Sequence, residues 1–148
     1  MANTVYNRAK GLLLDGTLDL TSDTLKVMLV GTGYTPNADD DFADTPAASE
    51  ISVTGYTPGF AGSGRKTLGT KAFVVNDTND RGEFTAANLT WTGLAAGATI
   101  KWAIVYKHIT SDAASPLIAA LDVHATGLAT NGGDIGLNFT SGIVLQIT

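Results

Sequence analysis

Thr99–Lys107, TIKWAIVYK, is the stretch that decides the fold. Ile100, Trp102, Ile104 and Tyr106 alternate with Lys101, Ala103, Val105 and Lys107. A period of two over nine residues is a strand with one strongly apolar face. Working outward, the same period returns at Leu25, Val27 and Leu29 and at Leu117, Ala119, Leu121 and Val123. It returns again at Ile135, Leu137 and Phe139 and at Ile143, Leu145 and Ile147. Two longer strands are expected at Lys66–Val75 and Glu83–Thr92. Ile51 and Val53 fit either a short strand or one helical turn. Turn signals separate the runs, among them Asn76-Asp77-Thr78-Asn79-Asp80 and Asn131-Gly132-Gly133. Nothing between them reads as a crossover helix, so a parallel α/β sheet is not expected. The expected fold is all-β: an antiparallel β-sandwich or jelly-roll-like barrel of about seven or eight strands.

One short N-terminal helix is expected over Thr4–Leu14, with Val5, Ala9, Leu12 and Leu13 as its apolar stripe. Thr4 stands where an N-cap belongs, and Gly16 lies just past the end. Residues 1–16 read as an N-terminal arm and residues 31–65 as a long loop region, the whole chain making one domain. Within it, Gly31–Ala48 is a long polar loop, and a connection of that length is usually functional or mobile. The overlapping segment Glu50–Gly69, EISVTGYTPGFAGSGRKTLG, is rich in glycine and carries Tyr56 and Phe60 on adaptable backbone. It reads as a docking loop or, in competition, as a turn that caps the core.

Composition excludes several function classes. The 148 residues carry a formal net charge of −5 and 16% charged side chains, against about 25% in ordinary domains. So few charges fit a surface partly covered by other protein, or one rich in Thr, Asn, Ser and Gly. Lys and Arg are scattered, and only Arg65-Lys66 are adjacent, so neither a nucleic-acid nor an anionic membrane partner is expected. With no cysteine, thiolate chemistry and disulfides are excluded. Leu12-Leu13-Leu14 is too short for a secretory leader, and no run reaches membrane-spanning length. The expectation is a protein made in a cytoplasm that stays there or joins an assembly.

No catalytic constellation emerges, and the chain is expected not to be an enzyme. His108 and His124 have no metal-ligand spacing. Ser63 in Gly62-Ser63-Gly64-Arg65 lacks the nucleophile-elbow and phosphate-loop patterns. The acids gather in loops, where they read as turn formers rather than a glycosidase pair. Asp39-Asp40-Asp41 and Asn76–Asp80 offer oxygen ligands for calcium but miss the loop pattern with its distal glutamate. No metal and no cofactor are therefore assigned. Trp91 and Trp102 are expected to face each other in the core across adjacent strands. Tyr34, Phe42, Tyr56 and Phe60 fall in loops and Tyr6 near the start, where aromatics serve as contact anchors or cap the core. Arg65 is expected to pair with acids across an interface or to solvate its turn. Tyr6, Tyr34, Phe42, Tyr56, Phe60 and Arg65 are thus the candidate protein-contact residues.

A family resemblance goes further. The order Tyr6-Asn7-Arg8-Ala9-Lys10, Asp23–Val30, Tyr34-Thr35-Pro36-Asn37, Glu50–Tyr56, Arg65–Leu68, Phe84, Ala86–Trp91, Val105-Tyr106-Lys107 and Ser115–Ala119 resembles small virion structural proteins of tailed bacteriophages. Similar chains are described as minor capsid, decoration or cement proteins. The resemblance covers nearly the whole chain and implies a part of the particle with no catalytic residues to transfer. It implies a capsid cement protein on the virion surface, assembled in the host cytoplasm. Such a protein associates with itself, a trimer being expected, and bridges neighbouring major capsid proteins. A tail or neck component is the first alternative, and a carbohydrate-binding module displayed on the particle the second.

Overall fold

The computed structural model describes residues 3–147. Its elements are β1 (Asn3–Val5), α1 (Asn7–Leu14), β2 (Leu25–Gly31), α2 (Asp44–Ala47), β3 (Lys66–Thr67), β4 (Ala72–Asn76) and β5 (Arg81–Thr85). There follow β6 (Leu89–Trp91), β7 (Thr99–Lys107), β8 (Leu117–Asp122), β9 (Leu128–Ala129), β10 (Ile135–Leu137) and β11 (Ile143–Ile147). Every strand pairing is antiparallel. The all-β, sandwich-like class expected from the alternation is the class observed.

The main sheet runs β1-β8-β7-β2-β3, with β9 beside the start of β7. Both of its faces are buried. Leu25, Val27, Leu29, Ala103 and Val105 join Phe84, Leu89, Trp91, Leu137 and Leu145 of the smaller sheets in one apolar layer. Met28, Val30, Ile104, Tyr106 and Ala120 point the other way, against Tyr6, Tyr34 and Ala43. The central strands therefore read as continuous apolar runs, the mark of a strand covered twice. Burying one large apolar side chain contributes about 1.5–3 kcal/mol, so both layers matter to stability.

The strand count rises to eleven among the described residues because two expected strands divide and two short unexpected ones, β1 and β9, are added. Lys66–Val75 breaks after Thr67: β3 stays with β2, and β4 leaves for a separate sheet of order β11-β5-β4. Thr70 marks the break with φ of 50°. Glu83–Thr92 divides in the same way, β5 pairing with β4 and β11 while β6 pairs with β10. Alternation reports which residues are extended, not which neighbour they choose.

Two local expectations are corrected. Thr4 is no N-cap: it pairs with Ala120 inside β1, and α1 starts after Tyr6 without a side-chain cap. Gly16 does end the helix, at φ of +75°. In β7, Val30 opposes Trp102 but Gly31 opposes Ile100. The extra residue, Lys101, is a bulge that sends Ile100 to the face opposite Trp102. The two tryptophans are not partners. Trp91 lies in the first layer and donates its indole N–H to the Gly64 carbonyl at 2.6 Å. Trp102 packs against the second layer and donates to the Tyr34 carbonyl at 2.9 Å.

Residues 31–65 are tied down rather than free. Asn7 N–H donates to the Ala38 carbonyl, Ala43 N–H to Ser115, and Ile51 N–H to Leu29. Phe42 bridges to Pro116 and Glu50 to Val30. Ile51 is a buried residue hooked onto the edge of β2, and Val53 bridges to Tyr56 across a turn. No helix among the described residues is long and apolar enough to cross a membrane.

Candidate functional site

The polar candidates converge inward. The Trp91–Gly64 bond holds the glycine-rich turn against the core and delivers Arg65 behind it. The Arg65 side chain is 0% exposed. Its Nε and Nη2 donate to Glu50 at 2.9 and 2.7 Å, and its Nη1 and Nη2 to Asp112 at 2.5 and 3.0 Å. Nη1 also donates to the Tyr106 hydroxyl at 3.2 Å. All five N–H donors of the guanidinium are used. Burial opposes its charge, but the bonds to Glu50, Asp112 and Tyr106 outweigh that and push its pKa further up. Glu50 accepts in addition from the Tyr56 hydroxyl at 2.7 Å and the Gly59 N–H at 2.9 Å. The Tyr56 oxygen in turn accepts from Leu29 N–H at 3.0 Å. A fork geometry of this kind is what arginine supplies and lysine does not.

Gly64 is required here for space: a Cβ on it would stand 2.5 Å from the Tyr56 ring. Phe60, half-buried, stacks on His108 with ring centroids 4.2 Å apart. The Nδ1 of His108 is buried without a partner among the described residues. Burial first, then the Lys26 and Arg65 charges, lowers the His108 pKa.

The second polar group joins the N-terminal arm to the long loop. Tyr34 donates to Asp40 at 2.7 Å, so the 2.8 Å contact between the tyrosine hydroxyls is Tyr6 donating to Tyr34. Burial pushes the Tyr6 phenol up to about 12 and raises Tyr34 further. Phe42, half-buried, lies under the Arg8 guanidinium at 4.3 Å from its ring centre.

These placements correct the reading of the contact residues. Tyr6, Tyr34, Tyr56 and Arg65 are within the fold, at most 7% exposed, and present no side-chain surface to a partner. Phe42 and Phe60 keep a partial edge to solvent. Glu50–Gly69 caps the core through the buried Ile51, Tyr56 and Leu68. Arg65 pairs with acids of its own chain, because the folded loop brings Glu50 and Asp112 to it. The acids weighed for calcium hold the loops together: Asp39 accepts from Asn7 and Asp40 from Tyr34. Asn76 turns the β4–β5 hairpin by accepting from Asn79. Among the described residues no group of three or more His, Asp or Glu side chains is placed to hold a metal.

The surface candidate lies elsewhere, on the three-stranded sheet. Its rows are Phe73–Phe84–Leu145 and Val75–Gly82–Ile147, all on the face that carries Phe84 into the core. Toward β4 and the chain end this face overhangs the core. Phe73 is 58% exposed, Val75 80% and Ile147 62%. Val74, on the reverse face, is 44% exposed. Beside Ile147 a groove of about 380 Å³ runs between α1 and β11, lined by Val5, Lys10, Leu13, Leu14 and Leu145. Leu14 at its rim is 89% exposed. An apolar edge strand bare on both faces is what soluble proteins avoid unless something covers it. The sequence signal is there: Ala72-Phe73-Val74-Val75, the end of the expected Lys66–Val75 strand, is apolar at both parities.

No family model matches the chain, and neither the curated proteins nor the solved structures contain a match to it.

Proposed function

We propose that the chain is a cement protein of a tailed-bacteriophage head. In this reading it sits on the capsid surface, associates with itself and bridges neighbouring major capsid proteins, and its work is mechanical. The observation that carries the reading is the exposed apolar hairpin: Phe73, Val74 and Val75 stand in solvent, while Tyr6, Tyr34, Tyr56 and Arg65 are buried. The resemblance of the sequence to small virion proteins supplies the class of particle. Cement needs contact area and a rigid body to transmit load, and the Arg65 network and the doubly covered sheet provide the second.

The test is co-sedimentation of the purified protein with emptied capsids, followed by electron microscopy of decorated particles. Saturable binding at a copy number comparable with the shell protein is expected. A copy number far below it moves the protein to the tail or neck, and no binding overturns the reading.

A further inference from the structure

We propose that β4 pairs edge to edge with β4 of a second copy, antiparallel about a two-fold axis through Val74. This rests on the reading of the protein as a self-associating particle component and gives that self-association a geometry.

Three observations carry it. First, β4 is the free edge of its sheet, and its pairing with β5 runs without a bulge from Ala72 to Asn76. Between Ala72 and Val75 there is no proline, lysine or glycine, the devices that usually blunt an edge. Second, the strand is exposed on both faces, which one further strand would partly cover on each side through cross-strand contacts.

Third, the sequence around Val74 is complementary to itself. An axis at Val74 sets Phe73 against Val75 of the second copy, Ala72 against Asn76, and Lys71 against Asp77. Apolar meets apolar and cation meets anion, twice each. Moving the axis to Phe73 sets Lys71 against Val75, and placing it between Val74 and Val75 sets Ala72 against Asp77. The register with the axis at Val74 is thus the favourable one. Among the described residues neither Lys71 nor Asp77 forms an ion pair within its own chain. The Lys71 ammonium does donate to the backbone carbonyl of Asp23.

The result is a continuous six-stranded sheet, β11-β5-β4 followed by the same strands in reverse. Phe73 and Val75 of both copies form one apolar patch at its centre. An isologous contact of this kind closes at two copies. It therefore replaces the ring of three expected from the sequence by a dimer.

The chain has no cysteine, so single cysteines report the register cleanly. Mild oxidation should link Val74→Cys to itself, because the axis places the residue opposite its own copy. Phe73→Cys and Val75→Cys should each stay unlinked alone and link when mixed. Light scattering of the unmodified chain at tens of micromolar should give the dimer mass. Lys71→Asp should weaken the dimer about tenfold, since two ion pairs become two like-charge contacts. Lys71→Asp with Asp77→Lys should restore it. A monomer, or a trimer in which Val74→Cys does not link, overturns the pairing. Capsid binding is read separately: a monomer that decorates capsids overturns only the pairing, and a dimer that ignores them overturns only the cement reading.

Discussion

Arg65 and Val75 occupy each other's expected places. The most polar side chain of the glycine-rich turn is sealed in the interior, and a β-branched apolar residue of the hairpin is 80% exposed. The inversion teaches how to separate structure from function in this chain. Arg65 is fully satisfied inside by Glu50, Asp112 and Tyr106, so its business is with its own fold. Val75 and Phe73 have no such closure among the described residues, which is why the proposed contact is placed on them. Burial cost makes the first arrangement intolerant of change, while exposure makes the second tolerant of change within the monomer.

The comparison breaks most easily at Arg65. Arg65→Ala leaves Glu50 and Asp112 facing each other without a cation and should cost about 3–5 kcal/mol in urea unfolding. Arg65→Lys should recover only part of this, because one ammonium cannot replace two forks. If Arg65→Ala unfolds at the wild-type midpoint, the network is not what holds the turn.

Alkaline titration probes the same interior. All four tyrosines, Tyr6, Tyr34, Tyr56 and Tyr106, are pushed upward, in each case chiefly by burial. Between the ordinary tyrosine pKa near 10 and the folded value of about 12 for Tyr6, the folded chain holds more protons than the unfolded one. Stability is therefore intact below pH of about 10 and falls as pH rises through that window. Phenolate absorbance should appear together with loss of circular dichroism, in one cooperative step. A gradual rise in absorbance on a folded chain would show that the phenols are accessible.

Gly64→Ala drives a methyl into the Tyr56 ring and should cost about 1–3 kcal/mol, read from thermal unfolding. The smallest effect on stability belongs to the other side of the comparison. Val75→Thr should change the unfolding free energy by no more than about 0.5 kcal/mol. It should nevertheless abolish any dependence of the melting temperature on protein concentration, since mass action stabilises only an associating chain. Loss of stability without change in association would make Val75 a core residue after all.

The strands of the fold were legible because alternation is local. Leu25–Gly31 and Thr99–Lys107 are strands by period alone, and both stand close to their expected bounds. The divisions at Leu68 to Lys71 and Ala86 to Asn88 were not legible, because extended backbone on either side looks the same whichever sheet it joins. β1 and β9 are too short to show a period. Of the contact residues, Phe42 and Phe60 retain partial exposure, and the other four are interior. A loop aromatic reads the same in sequence whether its hydroxyl meets Glu50 inside or a partner outside.

By itself, the sequence determined an all-β chain with few charges, no thiol and its apolar residues in period-two runs. Those properties depend on neighbours one or two residues away. Tertiary structure alone decided that Glu50, Arg65, Tyr106 and Asp112 meet, through hydrogen bonds that reach up to 47 positions along the chain, and that Ala72–Val75 overhang the core. Both outcomes turn on which surfaces the packed sheets cover, and coverage is a property of the assembled layers rather than of any local run of residues.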